Sequence, residues 1–245
     1  MAIQTNSEPA SKITRGSIPA PKFQRLHAVL VGTAPLVQAR FSEKAKLLMR
    51  SKMLEGSRAS KGKKRVARDF DDDFKQAFHR SEEGWVGVPC SAIRTACIDV
   101  CRMVGFKMTM AKMSIFVEAD GFGEHDGVPL VKLDAPEAER LELIVRNQTG
   151  VPDIRVRPMW RSWSLKVRIR FDSDQFSHED VVNLLARAGI QNGIGEGRPF
   201  SKESNGMGWG TFVPQPPFLV EDIHPDELSG KSSSNGASVR EDNHA

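Results

Sequence analysis

The side chains able to carry acid–base chemistry are few and scattered along this chain. The histidines fall in separate predicted elements, so no general base has a partner at a fixed spacing. The sequence also has no nucleophile elbow, no HExxH zinc motif and no GxxxxGK[ST] phosphate loop. It therefore favours a binding protein over an enzyme and predicts no catalytic residue and no cofactor.

The potential metal ligands favour structural roles. Three consecutive aspartates at 71–73 lie near the start of a predicted helix over 69–79, where carboxylates interact well with the helix dipole. Cys97 and Cys101 share one face of another predicted helix but lack a neighbouring histidine, and with Cys90 they indicate reduced, buried thiols. We predict no metal site. A metal-dependent nuclease that uses Asp69 and the three aspartates stays open as an alternative.

Positive charge is concentrated in two parts of the chain, although the net charge is only +4. Residues 40–68 hold eleven Lys or Arg against two acids, and residues 140–170 hold eight against two. The second part also contains Trp160 and Trp163. Cations neutralise phosphates and aromatic rings stack on bases, so this composition predicts single-stranded nucleic acid as a partner. A solvated sheet face above two core tryptophans is the alternative.

Hydrophobic patterning places a folded body at residues 23–213, between disordered polar tails at 1–22 and 214–245. The body opens with a strand at 26–31 and contains a basic, mobile insertion at about 56–68. Apolar residues at helical spacing predict a helix over 91–104 with Ser91 as its N-cap. No stretch approaches the roughly 18 apolar residues of a membrane span, so we predict a cytoplasmic protein.

The C-terminal third has the clearest pattern. Residues 164–171 alternate apolar and basic side chains, which predicts a strand with one cationic face. A capping box at Ser177 and Asp180 begins a helix. Glycines follow, then a short strand at 211–213. Strand, helix, glycine-rich crossover and strand together predict a β-α-β unit of an α+β, ferredoxin-like (RRM-like) fold around an antiparallel sheet.

The glycine-rich segment from Gly193 to Gly210 follows a helix, whereas a dinucleotide-binding loop follows a strand and begins a helix. Small residues would let the backbone approach a phosphodiester chain, with Arg198 and Lys202 supplying charge. Glycines that only permit tight turns are the alternative. From charge and glycine content we predict nucleic-acid contacts at Arg58, Lys61, Lys63, Lys64, Arg65, Arg157, Arg161, Lys166, Arg168, Arg170, Gly193, Gly195, Arg198 and Lys202.

Three segments of the chain carry a family resemblance. Thr33-Ala34-Pro35-Leu36 looks like an early T-x-PL turn, and Val88-Pro89-Cys90-Ser91-Ala92-Ile93-Arg94-Thr95-Ala96 is similar to a stretch that begins a helix near RNA. The third segment, Gly193-Ile194-Gly195-Glu196-Gly197-Arg198-Pro199 with Gly208-Trp209-Gly210, looks like a C-terminal G-loop. In these segments the chain resembles the RAMP superfamily, the RRM-like backbone subunits of CRISPR effector complexes, and more closely a group of phage and prophage proteins similar to it.

The resemblance implies that Ser91, Arg94 and the G-loop lie along a bound strand, and that the basic insertion corresponds to the family's thumb-like arm. It also implies a subunit that repeats along the strand, in a homo- or hetero-oligomer. Cys90 stands where the family usually has glycine, which departs from its pattern. No histidine or aspartate of this chain matches a cleavage residue of the family, so the resemblance does not imply nuclease activity. RNA versus DNA, and a phage structural or assembly role, stay open.

Overall fold

The computed structural model describes residues 20–55, 68–146, 150–200, 206–224 and 227. The described residues form an α+β fold with antiparallel sheets and five α-helices. Among them, no helix is long and apolar enough to cross a lipid bilayer. Most of both predicted tails lies outside the described residues, as do six predicted contact residues, namely Arg58, Lys61, Lys63, Lys64, Arg65 and Lys202.

The larger sheet has the strand order β10-β1-β9-β6-β3, with β4 beside β9 and β5 beside β6. Every pairing in it is antiparallel. The strands are β1 (Phe23–Gly32), β3 (Gly87–Pro89), β4 (Ile115–Val117), β5 (Gly121–Phe122), β6 (Pro129–Asp134), β9 (Ser164–Asp172) and β10 (Phe212–Asp222).

The predicted alternation along β9 is confirmed. Its apolar side chains are at most 1% exposed, because they face the helices and join the core with Leu26 and Leu30 of β1. Its basic side chains lie on the opposite face, since successive strand residues point to opposite sides of a sheet. The buried members from β9 are Leu165, Val167, Ile169 and Phe171.

Two helices cover the inner face of this sheet. Helix α5 (His178–Arg187) begins at the predicted capping box, in which Ser177 and Asp180 hydrogen-bond reciprocally. Helix α3 (Cys90–Val100) begins one residue earlier than predicted, and Ser91 is not its N-cap. Strand β3 leads directly into α3, so Pro89 takes the N-cap position and Ser91 lies in the first turn.

After α3 the chain forms a 3₁₀ turn (Cys101–Val104) that ends at Gly105 in the left-handed conformation, with φ 71°. This agrees with the predicted helix end at Gly105. Helix α4 (Met108–Ser114) comes next and leads directly into β4 at Ile115. A π-helical turn (Ala188–Asn192) follows α5 and leads into the glycine-rich loop.

A smaller sheet has the order β2-β8-β7, formed by β2 (Leu36–Val37), β7 (Glu139–Arg146) and β8 (Pro152–Trp160). Helix α2 (Phe70–Gln76) lies against β8, and Asp69 caps it by accepting hydrogen bonds from two backbone N–H groups. Helix α1 (Glu43–Glu55) is largely exposed, with Met53 at 82%.

The folded body continues to Asp222, past the predicted end at Val213. Strand β10 pairs with β1 from the Phe212–Gly32 pair to the Asp222–Gln24 pair. Residues 214–222 contain three prolines and little apolar alternation, so their side chains do not indicate a strand. Backbone pairing with β1 decides their conformation, and that partner lies almost two hundred residues away.

Candidate nucleic-acid interface

A cavity of about 260 Å³ lies between α3 and the glycine-rich loop. From α3 it is lined by Ser91, Thr95 and Asp99, which recur every four residues and therefore share one helix face. The opposite wall comes from the end of the π-helical turn and the start of the glycine-rich loop. Its lining residues there are Asn192, Gly193, Ile194, Gly195 and Arg198.

Asn192 fixes the two walls against each other. Its side chain is 2% exposed, and Nδ2 donates to Asp99 Oδ2 at 3.2 Å and to the Ala96 carbonyl at 3.5 Å. A buried amide needs such partners, because an unsatisfied polar group in a protein core is costly. This contact places a carboxylate at one end of the cavity.

Arg198 supplies positive charge to the same cavity. One guanidinium N–H donates to the Gly195 carbonyl at 3.1 Å, which holds the side chain against the loop. Within the described ranges Arg198 makes no ion pair. Arg198 is the cationic side chain among the lining residues, whereas Ser91 and Thr95 contribute neutral hydroxyls.

The glycines of the loop are required by close approach to the protein's own backbone. Gly195 has φ 82°, and a Cβ atom there would lie 2.5 Å from the Val37 carbonyl oxygen. Gly210 has φ 66°, and a Cβ atom there would lie 1.7 Å from the Ile194 carbonyl oxygen. The space beside these two glycines is filled by the chain itself. This favours the alternative in which glycine permits tight turns and packing.

The three segments that resemble the RAMP superfamily meet at this loop. The Gly210 N–H donates to the Pro35 carbonyl at 2.7 Å, and the Glu196 N–H donates to the Val37 carbonyl at 2.9 Å. The turn at 33–36 thus lies against the glycine-rich loop, and α3 lies on the other side of the cavity. The glycine-rich loop therefore contacts two segments that are far from it in the sequence.

The outer face of β9 is less cationic than its sequence suggests. Arg168 pairs with Asp120 at 2.9 Å and donates to the Ala119 carbonyl at 2.7 Å. Neighbouring Arg25 of β1 pairs with Glu118 at 2.9 Å and with Glu221. The predicted cationic face is thus partly neutralised, because neighbouring elements supply carboxylates that alternation within one strand does not reveal.

Arg170 and Lys166 occupy different surroundings on that face. The Arg170 guanidinium lies over the rings of Phe116 and Phe23, at 4.9 Å and 5.5 Å from their centroids. Its Nε is buried and has no hydrogen-bond partner among the described residues. Lys166 is exposed and makes no ion pair with the part of the chain that the structure describes. It is the basic residue of β9 that is available to a polyanion.

Three other predicted arginines within the described ranges have partners in the protein. Arg157 Nε donates to Glu196 Oε2 at 2.7 Å, which ties β8 to the glycine-rich loop, and Arg161 pairs with Glu139 at 2.9 Å. Arg94 does not line the cavity: its Nε donates to the Ile115 carbonyl at 2.7 Å and it also binds the Lys112 carbonyl, so it stabilises the end of α4.

The cavity thus contains Ser91, Gly193, Gly195 and Arg198 from the predicted set. Thr95, Asp99 and Asn192 were missed. Thr95 and Asp99 follow Ser91 at helical spacing, and this pattern could have identified both. Asn192 has no comparable signal, because its role depends on a contact with α3.

The potential metal ligands are engaged elsewhere. Asp69 caps α2, Asp71 binds Arg140, and Asp73 pairs with Arg68. Burial raises the pKa of Cys90 to about 11 and that of Cys97 to about 12, which keeps both thiols protonated near neutral pH. Among the described residues, no group of three or more His, Cys, Asp or Glu is placed to hold a metal ion.

Comparisons of this chain with protein-family models and with curated proteins give no match. The resemblance to the RAMP superfamily stays a prediction from the three segments.

Proposed function

We propose that this protein binds single-stranded nucleic acid, RNA or DNA, at the surface where α3 meets the glycine-rich loop. The observation that carries the proposal is that the start of α3 and the glycine-rich loop line one cavity, while the 33–36 turn packs against the same loop. We also propose that the chain acts as a repeating subunit along the strand, in a phage or CRISPR-like cytoplasmic setting.

The chemistry of the cavity supports binding without strong sequence preference. Arg198 attracts a phosphate, and the Ser91 and Thr95 hydroxyls can donate to phosphate or sugar oxygens. The Asp99 carboxylate repels phosphate and accepts hydrogen bonds, so a phosphate belongs at the Arg198 end and a hydroxyl or amino group at the Asp99 end. None of these side chains alone identifies a base.

We further propose that the larger sheet belongs to the ferredoxin-like class. Strand β1 lies between β9 and β10 and is antiparallel to both, so β9 and β10 run parallel and α5 connects them across β1. Strand β6 lies on the far side of β9 and is antiparallel to it. This order supports the β-α-β unit predicted from the sequence.

Fluorescence anisotropy with a labelled single-stranded oligonucleotide tests the proposal. We expect binding at about 50 mM salt that weakens steeply by about 200 mM, because phosphate contacts release counterions. Arg198→Ala should weaken binding about tenfold. Lys75→Ala removes an exposed cation from α2, outside the cavity, and should have little effect.

No anisotropy change for RNA or for DNA at about 50 mM salt would refute the proposal. Equal losses for Arg198→Ala and Lys75→Ala would refute the assignment of the site, because they would show only a response to net charge.

A further inference from the structure

Strand β7 is an open sheet edge with an unusual composition for such a position. In the order β2-β8-β7 it has β8 on one side and no partner among the described strands on the other. Its sequence, ERLELIVR, contains no proline. The backbone N–H and C=O groups along its outer side can therefore pair with another strand.

The ends of the larger sheet are closed to such pairing. Strand β10 carries Pro214, Pro216 and Pro217, and proline cannot donate a backbone hydrogen bond. Strand β3, at the other end, is three residues long and ends in Pro89. Strand β7 thus differs from β10 by its complete set of backbone donors, and from β3 also by its greater length.

Apolar side chains are exposed near the end of the β7–β8 hairpin. Ile144 of β7 is 81% exposed and pairs across the hairpin with Ile154 of β8, which is 41% exposed. Val151, just before β8, is 56% exposed. Exposed aliphatic residues on an open edge strand indicate a surface that another chain covers.

The charges around Ile144 are self-complementary. Glu142 and Arg146 lie two residues before and after it, so all three side chains point to the same face of the strand. In an antiparallel pair of identical strands centred on Ile144, Glu142 of each chain lies opposite Arg146 of the other. Arg146 is exposed and makes no ion pair with described residues of its own chain.

The other face of β7 matches in the same register. Leu143 of each chain lies opposite Val145 of the other, and both are half-buried in the single chain. Registers centred nearby fit less well. Centring on Leu143 opposes Arg140 to Arg146, and centring on Glu142 opposes two glutamates, which is unfavourable for directly paired residues.

We propose that two copies of this chain form a two-fold symmetric dimer by antiparallel pairing of their β7 strands, centred on Ile144. The contact is isologous, as in most dimers, and joins the two small sheets into one six-stranded sheet. It does not depend on nucleic-acid binding, since the residues involved lie outside the cavity.

Light scattering on the full chain after nuclease treatment tests the dimer. Because the contact is small, we expect the measured mass to rise from one chain towards two as the concentration reaches roughly 100 µM. Glu142→Arg should keep the protein monomeric, because the new arginine of each chain would face Arg146 of the other. The double variant Glu142→Arg, Arg146→Glu restores opposite charges and should restore the dimer. A monomer at every concentration, or a dimer unaffected by Glu142→Arg, overturns the proposal.

Cross-linking tests the register. The native cysteines are all buried, so an Ile144→Cys variant introduces the one accessible thiol within the described ranges. Paired residues in antiparallel strands have Cα separations of about 4.5 to 5.5 Å, within disulfide range. Mild oxidation should give a covalent dimer. Met103→Cys, at a 63% exposed position on the 3₁₀ turn, is the control. Equal cross-linking of both variants overturns the register.

Discussion

Asn192 Nδ2 donates to Asp99 Oδ2 at 3.2 Å and thereby joins the turn after α5 to the middle of α3. The two residues are separated by 93 positions in the sequence. The amide is buried, while the carboxylate is half-exposed. The buried amide therefore needs this hydrogen bond more than the carboxylate does, because the half-exposed carboxylate can also be hydrated.

Removal of the Asp99 carboxylate should therefore destabilise the folded protein. We expect Asp99→Ala to lower the free energy of unfolding by about 1–3 kcal/mol, because it leaves a buried amide donor unsatisfied. Chemical denaturation measures this loss. Thr95→Ala, which removes a neighbouring exposed hydroxyl from the same helix face, is the control and should cost less. A loss no larger than that of the control would show that Asn192 finds another partner.

Gly210 should tolerate no side chain. In Gly210→Ala the new Cβ would collide with the Ile194 carbonyl, in addition to the strain of φ 66°. Gly208 has a similar φ of 76° but open space around its Cβ position, so Gly208→Ala measures the conformational strain alone. We expect the free energy of unfolding to fall by about 1–2 kcal/mol in Gly208→Ala and by distinctly more in Gly210→Ala. Thermal unfolding distinguishes them, and equal losses would contradict the packing of the loop.

His79 should make the protein less stable in acid. Burial, with a further contribution from Arg40, lowers the pKa of His79 from 6.5 to about 4. Between these values the unfolded chain binds a proton that the folded chain does not, so stability falls as the pH falls from about 6.5 to about 4. The His79 contribution to this loss is at most about 3 kcal/mol.

Replacing the imidazole tests this origin. His79→Gln keeps a neutral polar side chain and should flatten the dependence of unfolding free energy on pH between about 4 and 6.5. His125→Gln, at an exposed position, is the control and should leave the slope unchanged. An identical slope in His79→Gln and the unmodified protein would show that other groups cause the acid response.

Ser177 and Ser91 should differ in their contribution to stability, although the sequence assigns an N-cap role to both. The Ser177 hydroxyl accepts from the Asp180 N–H at 3.1 Å, so Ser177→Ala should cost about 1 kcal/mol. Ser91 makes no cap hydrogen bond in α3, and Ser91→Ala should change stability little. Urea unfolding compares the two. If Ser91→Ala were the more destabilising change, the assigned start of α3 would be wrong.

Ser91→Ala also separates stability from binding. The Ser91 hydroxyl lines the cavity, so its loss should weaken oligonucleotide binding while the fold is retained. Anisotropy at about 50 mM salt measures this effect. Unchanged affinity would mean that the Ser91 side of the cavity does not contact the strand.

The elements that depend on neighbouring residues were predictable from the sequence. The alternation along β9 and the capping box before α5 involve residues two or three positions apart, and both match the structure. The helix predicted over 91–104 corresponds to α3 and the 3₁₀ turn after it, although its start was placed one residue late. Short-range patterns work here because side-chain direction and helix capping are decided within about one turn or two strand residues.

The tertiary structure decided which of the predicted residues belong to one site. It brings Ser91 and Arg198 to the same cavity, but it turns Arg94 towards the end of α4 and pairs Arg157 with Glu196. Strand β10 likewise exists because β1 supplies its backbone partners. The sequence shows which side chains are charged. Whether such a charge is free to bind a ligand depends on ion pairs with residues that are far away in the sequence and close in the fold.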